Sequence, residues 1–398
     1  MIYRLSGYIQ HYDWGGSDFI AEKLQLQNPE RLPFAEYWLG VHPGGATAVH
    51  LDNHAHTTLA SLVASDKLKY LGQAVVDRFN GLPYLLKVLD VKDMLSIQVH
   101  PSIDRAITGF AHENEKQIPL NAPERSFRDQ NHKPEVMVAL SEFWLLHGFA
   151  ADISSRLQAF SFLHPFQESY STGGLVSLFS AVMSNAFPAA NQRLLRHLDE
   201  IIPLYATGKL NKQSPDFWSA RAFQTFSKNG HIDAGLFCIY LMNLVHLKPG
   251  EGIYQPSGIL HAYLEGQNIE LMSNSDNVLR AGLTTKHINS EALIQNTRFV
   301  ETIPQVLPKS INKTDGVLRL PVDDFSLRTL ELGHNSSHSM ESEFPSIALL
   351  LSGNARWSSE GSGTIPTTGL SAMFIPAQTD WQIEVDHLAQ LFIASLPS

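Results

Sequence analysis

A chain of 398 residues is too long for one compact core and divides into two or three domains. Its 29 basic against 39 acidic residues leave a formal charge of −10, which argues against nonspecific nucleic-acid binding but leaves room for an anionic small molecule in a locally positive pocket. Cys238 is the only cysteine, so no internal disulfide forms and a reducing cytoplasm is the expected location; Met1–Gly7 holds no apolar targeting segment, and nowhere do about 18 apolar residues run together as a membrane span requires.

Residues 1–100 read as short strands broken by turns, among them Asp13-Trp14-Gly15-Gly16 and His42-Pro43-Gly44-Gly45. A short capped helix is predicted over Ser17–Leu24 and another over Leu59–Leu71. Pro83–Asp90 is an apolar run of strand length that leads into Met94–Pro101. There Leu95, Ile97 and Val99 alternate with Ser96, Gln98 and His100, the period of two of a half-buried strand. Side chains two apart on a strand lie about 6–7 Å apart on one face, so Gln98 and His100 are within reach of one ion. A polar row facing solvent is the plainer reading of any single Gln-x-His; it loses ground here because two later stretches supply the other ligands.

Ser102–Lys116 reads as a capped helix, followed by a polar loop to Arg128 and a strand from Glu135 to Leu140. Between about 150 and 230 the spacing turns to three and four, which predicts a helical insert; Phe237–Leu247 is then expected as a long apolar strand. Lys248–Tyr263 follows as turn, strand, turn and strand, and beyond about 305 the chain is again strand-like and rich in Ser, Thr, Gly and Pro. The fold expected is mainly β with a helical insert. Trp14 and Trp38 are expected to pack in the core.

Four residues are candidates for one metal site: Gln98 and His100, Glu135 at the start of the second strand, and His261 after the Pro256-x-Gly258 turn. Two imidazoles, a carboxylate and an amide oxygen suit Zn²⁺ and tolerate Mn²⁺, Fe²⁺ or Co²⁺. Without a thiolate, a catalytic metal with an open position is favoured over a structural one.

Pro256-x-Gly258-x-x-His261 has the spacing of the cupin jelly-roll, and Gln98-x-His100 resembles that fold's His-x-His. Tyr12-Asp13-Trp14-Gly15, Glu36-x-Trp38-x-Gly40-x-His42-Pro43, Leu95–Pro101, Asn131-His132-Lys133-Pro134-Glu135, Gly258-x-x-His261-Ala262-Tyr263 and Ser275–Lys286 together resemble type I mannose-6-phosphate isomerase, in the family's order and over residues 12 to 286. The resemblance implies two cupin-type jelly-roll barrels plus an α-helical domain: a catalytic jelly-roll built from 1–148 and 236–305, a helical insert at 149–235, and a C-terminal jelly-roll at 306–398. It implies interconversion of D-mannose 6-phosphate and D-fructose 6-phosphate through a cis-enediol, in service of GDP-mannose supply, with one Zn²⁺ per chain on Gln98, His100, Glu135 and His261.

Arg280 maps onto the family's catalytic arginine, and a guanidinium can fork onto two oxygens of an enediolate. Ser96 and Lys286 are expected at the phosphate. Lys133, beside a cation that favours its neutral form, is a usable base. His132 is assigned either to ring opening or to a hydrogen bond behind the metal. Val41, Gly45, Ala46 and Thr285 depart from the family's usual residues and touch the sugar pocket more than the metal set. A sugar phosphate is the expected partner, with no nucleic acid, no membrane and a monomeric chain. The rivals are a cupin dioxygenase, which gives Lys133, Arg280 and Lys286 no task, and a non-catalytic sugar-binding cupin.

Overall fold

The structure is a computed structural model that describes residues 1–51, 56–227, 232–309 and 316–397. Strands dominate, and the sheet that carries the site has twelve of them. Its centre is the 13-residue strand His261–Ser273. Gly266 takes φ +129° and the register slips between Tyr263 and Glu265, so the strand bends and serves two sets of neighbours. Its first half pairs with Ile97–Val99 and Phe143–Ala150, its second with Tyr84–Val91 and Glu135–Ala139. A Cβ at Gly266 would stand 2.6 Å from the Phe143 ring and 2.8 Å from the Glu142 carbonyl, so only glycine makes the bend.

Beyond the bend, side chains alternate between faces. Ile269 and Leu271 pack with Leu86, Val88, Val136 and Val138, whereas Glu270 faces the cavity described below. The first group extends into Ile347, Leu349, Phe374 and Phe392, so one apolar core joins the two halves of the molecule. Those later residues belong to an eight-stranded sheet ordered Val317–Leu318, Ser326–Leu332, Ala389–Ser395, Ser346–Leu350, Ser371–Ile375, Tyr3–Ser6, Ala48–His50 and His56–Thr58. A four-stranded sheet covers its other side over a core in which Trp357 and Trp381 stack at 5.8 Å.

This pairing corrects the division of the chain read from sequence. Tyr3–Ser6 hydrogen-bonds to Ser371–Ile375, so the first strand and the two at Ala48–His50 and His56–Thr58 join the C-terminal strands instead of the site-bearing sheet. The expected strand Phe237–Leu247 is also half wrong: Gly235–Leu241 is a fully buried helix and only Met242–Leu247 is strand. An apolar run with every residue buried carries no period that separates the two. The predicted helix over Leu59–Leu71 divides at Asp66, whose carboxylate caps Lys67–Leu71 by accepting from the Lys69 N–H.

The expected helical region is present as Ile153–Ala159, Gln167–Met183, Pro188–Ala206 and Pro215–Phe226. It covers the outward face of Phe143–Ala150, where Trp144, Leu146 and Phe149 meet Phe179, Leu194 and Trp218. Its last helix is pinned to the site-bearing sheet by Arg221, whose guanidinium meets Glu265, Asp93 and the Lys92 carbonyl.

Candidate metal site and cavity

Strand register lines up the central residues. Arg280 lies opposite Gln98, Gln98 opposite His261, and His261 opposite His147, one row across four strands. Ile97 and Val99 point into the core while Gln98 between them faces the cavity, the alternation read from sequence, although the strand begins at Ile97. His100 follows its strand's end, and Glu135 opens its own strand opposite Met272, at the far end of the bent strand that His261 begins.

His100, Glu135 and His261 are each 1% exposed, and their donor atoms all lie within 4.8 Å of one another. His100 Nε2 is 3.3 Å from Glu135 Oε1, His261 Nε2 is 3.4 Å from Glu135 Oε2, and the Gln98 amide end is 3.4 Å from His261 Nε2. Each imidazole donates its Nδ1 proton to a carbonyl, His100 to Asn277 at 2.7 Å and His261 to Ile259 at 3.0 Å. Carbonyls only accept, so each Nε2 turns a lone pair toward the carboxylate. Lone pairs facing a carboxylate repel unless a cation sits between them. His100 Nε2 and Glu135 Oε2 are buried without a hydrogen-bond partner, which is the mark of a position built for one. These residues fit a single divalent ion with mixed N/O ligands, zinc foremost.

Burial pushes the His100 imidazole down from 6.5 to about 4. Burial alone would raise Glu135, but Lys133 and His100 hold its carboxyl well below the usual range. His147, in the same row, is also pushed down to about 4, first by burial and then by His261. Both rings are neutral when folded and take up protons when unfolded below pH 6.5, so stability is full above that value and falls as the pH drops toward 4. For the protein kept in chelator, each ring should remove about 2 kcal/mol between pH 7 and pH 5, measured by urea unfolding. A flat profile over that interval would contradict this reading of both rings.

The cluster opens onto a cavity of about 870 Å³, within the range of roughly 300–1,000 Å³ usual for small-molecule sites. Gln98, Lys133, Glu135, Ser96, Arg280 and Lys286 line it, so six of the nine residues singled out in the sequence share its wall, with His100 and His261 behind them. Lys133 Nζ lies 3.2 Å from Glu135 Oε1. Arg280 and Lys286 have no carboxylate partner among the described residues; burial and Arg128 push the Arg280 pKa down, and burial, Arg280 and Arg128 do the same to Lys286. Three cations repelling one another at one end of a cavity, in a chain of net charge −10, make a place for an anion.

His132 is the exception. Its Nε2 is 3.0 Å from both carboxylate oxygens of Asp324, a buried residue of the C-terminal half, and it does not line the cavity. The placement departs from both roles read for it, since neither a ring-opening group at the sugar nor a hydrogen bond behind the metal is made from there.

Several cavity groups have roles that the sequence did not assign. Lys87 is buried between Glu36 at 3.3 Å and Glu270 at 3.2 Å, with its ammonium 4.8 Å from the Trp38 ring centre. Burial would lower its pKa, but the two carboxylates outweigh it, so Lys87 stays charged. Glu270 in turn accepts from Tyr263 Oη at 2.8 Å. Trp38 is buried as expected yet forms part of the cavity wall, as does Trp14. At the rim His42 accepts the Gly44 N–H at Nδ1 and faces Asp276 with Nε2, 3.4 Å away. Asn277 binds the pieces together: its amide accepts from the Arg128 N–H and donates to the Asp129 and Asn131 carbonyls while its own carbonyl holds His100.

Fold and site together define a metalloprotein of the β class whose cavity is lined with cations. The catalytic-domain pattern of type I phosphomannose isomerase matches residues 2–151. Mannose-6-phosphate isomerase of Salmonella typhimurium is 36% identical over 343 residues, which cover 84% of this chain and 85% of that one. The enzyme of Rattus norvegicus is 30% identical over 360 residues, covering 83% and 82%. A crystal structure of the Salmonella typhimurium enzyme bound to its substrate and zinc superposes with a TM-score of 0.85 at 30% identity over 100% of both chains. A zinc-bound holo structure of mannose 6-phosphate isomerase does so with the same score, identity and coverage. The chain belongs to the type I mannose-6-phosphate isomerase family.

Proposed function

We propose that this chain interconverts D-mannose 6-phosphate and D-fructose 6-phosphate through a cis-enediol, with one Zn²⁺ on Gln98, His100, Glu135 and His261, and that the mannose 6-phosphate end supports GDP-mannose supply. The observation that carries the reading is the convergence of an orphaned His-Glu-His set and a group of unpaired cations on one cavity of hexose-phosphate size. Zinc, when bound, supplies the Lewis acidity that polarises the sugar oxygens.

The chain's own residues divide the rest of the work. Arg280 faces the cavity from the position opposite Gln98 and stabilises the negative charge that develops on the enediolate oxygens. Lys286 and Ser96 receive the phosphate, with Arg128 adding charge beside them. Lys133, whose partner Glu135 would be engaged by the metal, takes the proton from C2 and returns it to C1; Lys87, held by Glu36 and Glu270, neither of them a ligand, is the poorer base. His132 anchors the His-Lys-Pro-Glu segment through Asp324 and takes no part in proton transfer. The scaffold is read as two jelly-roll units and a helical insert, with the strands Tyr3–Ser6, Ala48–His50 and His56–Thr58 given to the C-terminal unit, acting as a monomer in the cytoplasm.

A coupled assay for fructose 6-phosphate tests the whole reading. Turnover with mannose 6-phosphate should vanish on dialysis against chelator and return with added Zn²⁺. Absence of chelator-sensitive turnover would leave a sugar-binding cupin in its place.

A further inference from the structure

We propose that Asp233, at the end of the helical region, is a positioning residue that fixes the loop 283–287 and with it the phosphate-binding end of the cavity. The proposal rests on the functional reading above for the identity of the anion. The loop has no regular structure, yet it carries Thr284, Thr285, Lys286 and His287 into the cavity wall. Something outside it must hold it.

The Asp233 carboxylate does so directly. Oδ1 accepts from the Leu283 N–H at 2.7 Å and from the Gly235 N–H at 2.7 Å, and Oδ2 accepts from the Thr284 N–H at 3.3 Å. Asp233 is 4% exposed and has no cation partner among the described residues, where its carboxylate is met by backbone N–H groups. The loop it grips is bent against its preference: Leu283 takes φ +51°, a left-handed conformation a branched side chain rarely adopts. Gly282 and Gly235 stand back to back, where a Cβ on Gly282 would lie 2.5 Å from Gly235 N and one on Gly235 would lie 2.7 Å from Leu283 N.

The bond to Gly235 holds the first N–H of the helix Gly235–Leu241, whose N-cap position is Ala234, and if that were all, Asp233 would matter only to stability. The other two bonds cross to a different part of the chain. They also oppose a force, since Lys286 is held among Arg280 and Arg128, which repel it. Released from Asp233, the loop should relax and carry Lys286 away from the other two cations. The binding of phosphate then weakens while the metal and Arg280, on their strands, keep their places.

The test uses the full-length zinc-loaded protein with the variants Asp233→Ala and Asp233→Asn, and inorganic phosphate as the calorimetric probe. For Asp233→Ala, KM for mannose 6-phosphate and Kd for phosphate should both rise about tenfold, with kcat within about threefold and zinc content unchanged. Asp233→Asn keeps an oxygen for Leu283 and Gly235 and should recover most of the loss; it also serves if the alanine variant does not fold. A fall in melting temperature with KM and phosphate affinity unchanged in either variant would reduce Asp233 to a support of the helix start and overturn the proposal. If the wild-type protein binds phosphate but does not turn over mannose 6-phosphate, the functional reading fails while the phosphate measurement still decides the role of Asp233.

Discussion

Glu135→Ala should abolish detectable turnover and reduce zinc retention by more than about a hundredfold, beyond the loss typical of removing a ligand's hydrogen-bond partner. The carboxylate is the only charged member of the ligand set, and it stands between the two imidazoles, 3.3 Å from one and 3.4 Å from the other. Without it, His100 and His261 offer two neutral nitrogens whose directions no longer converge on an anionic centre. A second cost falls on Lys133, which is 8% exposed and takes its counter-charge from Glu135 Oε1. Breaking a buried pair by removing one partner costs about 3–5 kcal/mol, so the variant should also melt earlier than the chelated wild type. Glu135→Gln keeps the shape and separates the effects: charge is lost, one ligand oxygen remains, and zinc binding should fall between the two. Metal addition should stabilise the wild type by about 2.7 kcal/mol at a hundredfold excess over Kd, because the ion relieves facing lone pairs. Zinc retained at wild-type level by Glu135→Ala would show that the metal sits elsewhere.

The residues visible in the sequence were those whose spacing is short and whose chemistry is distinctive. Gln98-x-His100 and Pro256-x-Gly258-x-x-His261 place their ligands through one strand and one turn, so local geometry determines where they point. Lys87 was hidden for the opposite reason. It sits in the apolar strand Tyr84–Val91, and the partners that make its burial tolerable, Glu36 and Glu270, arrive from separate strands through register alone. His132 was misplaced because it adjoins Lys133. Lys133 and Glu135 both line the cavity, whereas His132 meets Asp324, a contact with the C-terminal half that no local spacing encodes. The first strand went to the wrong half because nothing in Tyr3–Ser6 encodes that its partner is Ser371–Ile375. Asp233 has no local signature at all, since two of its three backbone bonds reach the loop beyond Gly282.

Arg280→Ala should lower kcat/KM for mannose 6-phosphate by about 10²–10³ while zinc content and melting temperature stay close to wild type. Arg280 lies directly across from Gln98, so its guanidinium is set beside the metal ligands by strand register and not by a mobile loop. No carboxylate neutralises it among the described residues, and burial with Arg128 nearby pushes its pKa down without discharging it at neutral pH. Such a charge is costly to keep in the free protein and is repaid only when negative charge forms next to it. That is the condition under which a group lowers a barrier instead of merely tightening binding. The loss should therefore fall mainly on kcat. Arg280→Lys retains the charge but not the planar fork, so it should restore substrate affinity more fully than turnover. If Arg280→Ala raised KM and left kcat intact, the guanidinium would belong to the phosphate group alongside Lys286, and stabilisation of the enediolate would have to come from elsewhere in the cavity.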